Sequence, residues 1–350
     1  MKILSISGTR PDFIRLMPTV KKLDKYFDHK FVWAAQNFDK CLADKFFKEF
    51  NRIPDLRFPN EEGSIGNEYF GRIFLWLETV YKGENPDCIL VLGDTNASFS
   101  AAFIAKKMGI PVFHWEAGNR CFDMVRVPEE VNRRMIDSIS DWHLCYTQRS
   151  REHLLLEGKR PDRIIVVGNP IIEALREAEG KMPKFKQEDY ILATIHRKEN
   201  VNNADRLISI LNQLNYLGKP VKLSNHPTLA SNLKRFNKSK LWANIEFFEP
   251  NNFTEFAKME REAYCVVTDS GTVPEECHYF ETPCVLIRYS TERPELLEAN
   301  SMVMCENPKD LKRAITIAVN EISGKVITEY HQHVSGNVVK ILMRCKSGTT

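Results

Sequence analysis

No stretch of this sequence approaches the roughly 20 consecutive apolar residues that a membrane span requires. No GxGxxG follows a strand-like run, and neither a P-loop nor a GxSxG elbow is present, so the usual dinucleotide, ATP and serine-hydrolase signatures are excluded. No His, Cys and Asp set has metal-ligand spacing; His331 and His333 lie on a polar stretch near the end and read as exposed. A net charge of +3 without a long Lys/Arg run gives no argument for nucleic acid. Repeats of short fixed period and low-complexity segments are also missing. The nine cysteines (41, 88, 121, 145, 265, 277, 284, 305, 345) include no CxxC pair. An odd count on mostly apolar strands points to reduced core thiols and a cytoplasmic location. Cys121 lies instead in a charged loop, but no dyad spacing asks for a nucleophile there. The opening MKILSISGTRPDF has few apolar residues before a polar turn and reads as a first buried strand, not a signal peptide.

What is present is a regular alternation. A chain of 350 residues exceeds one comfortable core, so two domains are the default. Strand-like runs recur at KILSI (2–6), FVWAA (31–35), CILVLG (88–93), PVFHW (111–115), WHLCYT (142–147) and IIVVG (164–168). Helical spacing fills the gaps in IRLMPTVKKL, KCLADKFFKEF, YFGRIFLWLETVYKG and ASFSAAFIAKKMG. The charged stretch 176–189 breaks this rhythm, which restarts at YILATI, PVKLS, IEFFEP, YCVVTD and PCVLIR. Alternation of this kind means parallel βαβ units with buried strands. The expected fold is α/β: two doubly wound Rossmann-like domains, 1–170 and 171–334, facing a cleft, with an amphipathic helix near 335–350 packing back on the first.

Ligands of open α/β sheets bind beyond the carboxyl ends of the strands. The strand-end loops here are SGTRPD, AAQNFD, GDTNAS, HWEAGNRCFD, TIHRKEN, SNHPT, TDSGTVPEE and RYSTERPE, and they hold nearly every polar residue of interest. In TDSGTVPEE, Ser270, Gly271 and Thr272 open a helix whose start can bind an anion. Glu276, one turn on, can accept from the vicinal hydroxyls of a ribose; the competing reading is a plain N-cap with an acid in the first turn. Arg10, Arg293 and the pair His196-Arg197 are further anion donors, although a lone His after a strand is often only structural. Such a phosphate site suits a nucleotide sugar better than NAD or ATP. The densest polar cluster, residues 114–134, contains His114, Glu116, Asn119, Arg120, Asp123, Arg126, Glu129, Glu130, Asn132, Arg133 and Arg134. It reads as a catalytic loop, or else as a solvated loop rich in ion pairs. Asp94, Glu116 and Glu129 follow separate strands, and three such carboxylates can converge on one sugar for general acid and base work. Alternatively, Asp94 caps the next helix and Glu129 pairs with Arg133.

Taken in order, GTRPDFIRLMP, VLGDTNAS, HWEAGNR with PEEVNRR, VVGNPIIEAL, ATIHRKENV, TDSGTVPEE and STERPE resemble the non-hydrolysing UDP-N-acetylglucosamine 2-epimerases across nearly the whole chain. The resemblance implies a glycosyltransferase-B type fold, a homodimer, a UDP-sugar substrate and no cofactor or metal. It implies that Arg10, Ser270, Gly271 and Arg293 hold the diphosphate, Glu276 the ribose, and that Phe256 stacks on uracil. Asp94, Glu116, Glu129 and His196 form the implied catalytic set, supported by Arg133, with Arg15, Arg197, His226 and Thr272 completing the binding set. The implied reaction is inversion at C2 of a UDP-2-acetamido sugar by elimination of UDP to a 2-acetamidoglycal and re-addition.

Arg15 stands where the family commonly has Lys, and Asp12 where it has Glu, so charge is kept. AGNRCFD, RVPEE and Thr272 after Ser-Gly resemble the branch that makes UDP-N-acetyl-L-fucosamine for capsule and O-antigen, with Met124-Val125 one residue longer. That branch implies UDP-2-acetamido-2,6-dideoxy-L-talose as substrate; the alternative is UDP-N-acetylglucosamine and its manno epimer. A hydrolysing epimerase or a glycosyltransferase of the same fold are lesser alternatives. A catalytically dead sensor would normally have lost Asp94, Glu116, Glu129 or His196, all of which are present.

Overall fold

The computed structural model describes residues 1–36, 40–60, 63, 66–236, 242–322, 325–331 and 333–346. Part of the expected strand-end loop AAQNFD, residues 37–39, lies outside these described residues, as do residues 347–350 of the expected terminal helix. The side chains of Cys41 and His331 are likewise outside the described part.

The chain divides into two compact units, Met1–Ala174 with Thr328–Thr350, and Leu175–Ile327. Among the described residues, the first unit holds β1 (Lys2–Ser7), β2 (Asp28–Trp33), β3 (Leu56–Arg57), β4 (Cys88–Leu92), β5 (Val112–Trp115), β6 (Trp142–Cys145) and β7 (Ile164–Val166). They form one sheet in the order β3-β2-β1-β4-β5-β6-β7, with every pair parallel. The strands are short apolar runs because helices cover both faces: Ile3, Leu4, Ile6, and Ile89 to Leu92 are all fully buried. The chain winds outward from β1 to β3, then returns to lay β4 on the other side of β1. That reversal creates a topological switch point between β1 and β4, with Ile6 opposite Val91.

Helix Asn96–Lys107 follows β4 with a face of Ala97, Ala101, Ala102 and Ala105, small enough to lie close to the sheet. A Cβ on Gly8 would stand 2.2 Å from the Ala97 Cβ, so only glycine lets the turn after β1 approach this helix. Helix Arg10–Tyr26 begins with Pro11 in its first turn. Helix Val334–Lys346 packs against it. Lys22 Nζ donates to Ser335 Oγ at 2.6 Å, and the Ser335 amide donates to Glu173 Oε2 at 3.2 Å.

The second unit repeats the plan with β8 (Ile191–Thr194), β9 (Val221–Ser224), β10 (Ile245–Phe248), β11 (Cys265–Thr268), β12 (Cys284–Leu286) and β13 (Val303–Met304). The parallel order is β10-β9-β8-β11-β12-β13, which puts a second switch point between β8 and β11. Helix Ala204–Asn215 buries Leu207, Ile210, Leu211 and Leu214 at helical spacing in a core shared with Ile191, Val221 and Val267. Two doubly wound parallel units in one chain are the ground plan of the glycosyltransferase-B type, as the alternation and the resemblance implied. No helix among the described residues is long and apolar enough to cross a membrane.

Candidate functional site

In the first unit, the expected carboxylates sit at and beside the switch point. Gly93 leaves β4 with φ +75°, and Asp94 follows it. Thr95, not Asp94, caps helix Asn96–Lys107, accepting from the Ser98 amide at 3.2 Å. Asp94 is left to face Arg133, whose Nε donates to Asp94 Oδ2 at 3.1 Å and whose Nη2 reaches the same oxygen. Burial raises the Asp94 carboxyl above its ordinary range; Arg133 opposes this, and the charges of Glu116 and Glu129 raise it further. Asp94 therefore feels the charge of both other expected carboxylates.

Glu116 leaves β5 with φ +76°, a left-handed conformation that a non-glycine residue adopts at a cost and that marks functional sites. Its carboxylate accepts from Arg15 Nη1 at 2.5 Å and from the Tyr146 hydroxyl at 3.3 Å. Asn119 Nδ2 donates to its other oxygen at 3.4 Å. Arg15 also donates to Asp12 Oδ1 at 2.9 Å. Burial pushes the Asp12 carboxyl up to about 6 despite Arg15, aided by the neighbouring charges of Asp94 and Glu116. Arg10, at the first residue of its helix, places its guanidinium 5.1 Å from the centre of the Phe46 ring.

The polar cluster 114–134 splits in two. His114, Glu116, Asn119, Arg120, Glu130 and Arg133 are buried, whereas Arg126 and Asp123 form a more exposed pair at 3.3 Å. Glu130 accepts from Arg133 Nη1 at 2.7 Å, from Arg134 Nε at 2.9 Å and from the Cys121 amide at 3.0 Å. Burial would raise Glu130, but that amide and the two arginines hold it below the usual carboxylate range.

Beneath the loops runs a second buried network. His114 bridges two oxygens, with Nδ1 2.7 Å from Asp137 Oδ1 and Nε2 3.0 Å from the Gly93 carbonyl oxygen. The Gly118 amide and Arg120 Nη1 also donate to Asp137 Oδ2, at 3.1 and 2.7 Å. Burial works against this carboxylate, yet His114 and Arg120 hold Asp137 far below its ordinary value. The loops that carry Asp94 and Glu116 are thus fixed to one carboxylate on helix Pro128–Ile139.

In the second unit, the switch point gathers the expected anion donors. Asp269, fully buried after β11, accepts from the amides of His196 at 3.0 Å and Arg197 at 2.9 Å, and from Asn200 Nδ2 at 3.0 Å. His196 Nδ1 lies 3.2 Å from Asp269 Oδ1, and its ring is 5.1 Å from that of His226. His226 caps helix Pro227–Arg235 by accepting from the Thr228 amide at 3.3 Å. Thr272 precedes helix Val273–Phe280, and Ser270 Oγ accepts from the Thr272 amide at 3.3 Å. A Cβ on Gly271 would stand 2.3 Å from Glu292 Oε1. Glu292 is in turn held by Arg288 Nη1 at 3.0 Å. Arg293 is buried with its Nε on Glu275, and Phe256 is half-buried on helix Phe253–Glu262.

The family model described as UDP-N-acetylglucosamine 2-epimerase matches residues 21–342. The chain belongs to the UDP-N-acetylglucosamine 2-epimerase family. The UDP-N-acetylglucosamine 2-epimerase of Methanocaldococcus jannaschii is 34% identical over 342 residues, covering 92% of this chain and 93% of that protein. The UDP-2,3-diacetamido-2,3-dideoxy-D-glucuronate 2-epimerase of Pseudomonas aeruginosa is 32% identical over 348 residues, covering 96% of each. The crystal structure of the Methanocaldococcus jannaschii 2-epimerase in complex with UDP-GlcNAc and UDP superposes with a TM-score of 0.91 at 33% identity, covering 98% of this chain and 99% of that one.

Several groups beside these residues were not singled out from the sequence. Tyr146 and Asp137 reach the acidic loops only through the fold, and Asp12, noted from the sequence for its kept charge, meets Arg15 there. Arg288 follows β12 fully buried, and its Nε and Nη2 hydrogens have no acceptor among the described residues, the state expected of a cation built to meet an anion. One signal was available for it: Arg288 opens the same RYSTERPE loop that yielded Arg293.

Proposed function

We propose that this chain is a non-hydrolysing 2-epimerase that interconverts UDP-N-acetylglucosamine and UDP-N-acetylmannosamine. The observation that carries the reading is the gathering of acids in one unit: Asp94 after β4, buried against Arg133, feels the charge of Glu116 after β5 and of Glu129 in the first turn of helix Pro128–Ile139. In an ordinary sugar the C2 hydrogen has no adjacent carbonyl and is not acidic. Departure of UDP, with the C1–O electron pair, builds positive charge at C1 and acidifies C2–H. A carboxylate then takes that proton, and the C–H pair becomes the C1–C2 double bond of a 2-acetamidoglycal. Return of UDP to C1, with a proton delivered to the other face of C2, completes the inversion.

Glu116, gripped by Arg15, is suited to accept a proton. Asp94, raised by burial and by two acidic neighbours, is suited to deliver one. Cationic donors of the second unit, Arg197, Arg288 and Arg293 with the Ser270-Gly271 turn, stabilise the leaving diphosphate. We also infer a homodimer, which sedimentation of the purified chain checks, and a cytoplasmic location.

UDP-N-acetylglucosamine is preferred over the 6-deoxy-L-talo sugar because the relatives named above are 2-epimerases of that compound or of a D-glucuronate derivative. Proton NMR in heavy water, with both sugar nucleotides side by side, tests this. The C2–H signal of UDP-N-acetylglucosamine is expected to vanish as the manno epimer grows in. Faster exchange of the 6-deoxy sugar would instead support the fucosamine branch, and free sugar as end product would mark a hydrolysing enzyme. No exchange with either would overturn the assignment.

A further inference from the structure

Helix Phe253–Glu262 carries Phe256 and, one turn further on, Glu260. Glu260 is fully buried, and no N–H or hydroxyl among the described residues reaches either carboxyl oxygen. Among the described residues no cation acts on it either. The titratable groups around it are Glu276 and Cys277 on helix Val273–Phe280, which packs against its own helix, Cys284 on β12, and Tyr190, whose hydroxyl is already donated to the Met259 carbonyl. A carboxylate left without donors in such a place costs several kcal/mol, so the group stays neutral and keeps its proton. Burial, with the charge of Glu276 added to it, raises the Glu260 carboxyl well above its ordinary range. Its hydrogen-bonding neighbour is the Glu276 carboxyl itself. Two carboxyls in contact cannot both ionise readily, and they settle with one proton between them.

We propose that Glu260 is a positioning residue: as a neutral acid it donates its O–H to Glu276 and aims that carboxylate at the vicinal hydroxyls of the substrate's ribose. This rests on the assignment of Glu276 to ribose made above. The contact fixes the direction of the Glu276 carboxyl, which a lone flexible glutamate would not ensure. It also accounts for a buried acid on an apolar helix face, where leucine would pack at lower cost.

The test compares binding of UDP and 2′-deoxy-UDP to the full chain by calorimetry, in wild type, Glu276→Gln, Glu260→Gln and Glu260→Leu. The wild type is expected to prefer UDP, and Glu276→Gln to lose that preference. Glu260→Gln still offers an N–H donor and is expected to keep the preference within about twofold. Glu260→Leu is expected to reduce it about tenfold, the worth of one hydrogen bond to a charged group, with 2′-deoxy-UDP affinity unchanged. Glu260→Met replaces the leucine variant if that one does not fold. A purely packing role predicts the opposite order, with leucine the better tolerated of the two. If Glu276→Gln loses the preference and Glu260→Leu keeps it, the inference fails while the ribose assignment stands. If Glu276→Gln keeps the preference, the ribose assignment fails and the inference falls with it.

Discussion

Arg15 divides its guanidinium between Asp12, Glu116 and Tyr146, and the state of Asp12 decides how. With its carboxyl at about 6, Asp12 is neutral in mild acid and leaves Arg15 to Glu116; above that pH it competes for the same cation. A kcat/KM profile is therefore expected to bend near pH 6, and the bend to disappear in Asp12→Asn. The stability linkage has a definite sign. The folded value lies above the ordinary 3.8, so the contribution of Asp12 is full below about pH 4 and is lost as pH rises through about 6. Asp12→Asn should flatten that part of the curve of melting temperature against pH. For Glu116→Gln, turnover is expected to fall by about 10²–10⁴ with UDP binding kept within about twofold; equal loss of both would undercut its catalytic role. At this scale the sequence was legible where chemistry sits in contiguous motifs. Asp94 and Glu116 stand directly after apolar runs and were visible. Which side chain each would meet was not, because Arg15 meets Glu116 across 101 positions and Tyr146 across 131.

The turns between elements carry the strain that aims these side chains. Gly118, two residues past Glu116, has φ +79°, and a Cβ there would lie 2.1 Å from the Ser150 carbonyl oxygen. The obstacle is backbone and cannot swing aside, so Gly118→Ala is expected to lower stability by about 2–4 kcal/mol, read by urea unfolding. Asp137→Asn weakens the anchor that His114, Arg120 and the Gly118 amide share. It should cost about 3–5 kcal/mol, because the buried Arg120 loses one of its two counter-charges and keeps only Glu157. Period and composition revealed the long helices and the central strands. They could not reveal β3 or β13, each two residues long, since so short a run has no periodicity to detect. Nor did they show that β2 starts at Asp28: the polar Asp28-His29-Lys30 is drawn into the sheet by its pairing with Lys2, Ile3 and Leu4.

At the scale of the whole molecule, two copies of one winding rule each place a switch point under the residues assigned to substrate. The alternation of apolar runs made that architecture readable, while a division at Ala174, inside helix Ile171–Glu179, could not be seen from a charged stretch that begins two residues later. Deleting residues 334–346 would bare the face of helix Arg10–Tyr26 and remove the buried Val334, Val338 and Leu342. Each is worth about 1.5–3 kcal/mol of burial, so such a truncation is expected to melt the first unit many degrees earlier. A thermal scan that resolves the two units would show the second unchanged.

That same helix has a consequence for how the protein is made. It is made after the second unit, yet it completes the first. At roughly 5–20 residues per second, the nascent first unit waits on the order of ten to thirty seconds with an oily flank in water while the second is synthesised. The half made ahead of the other is sealed only after it.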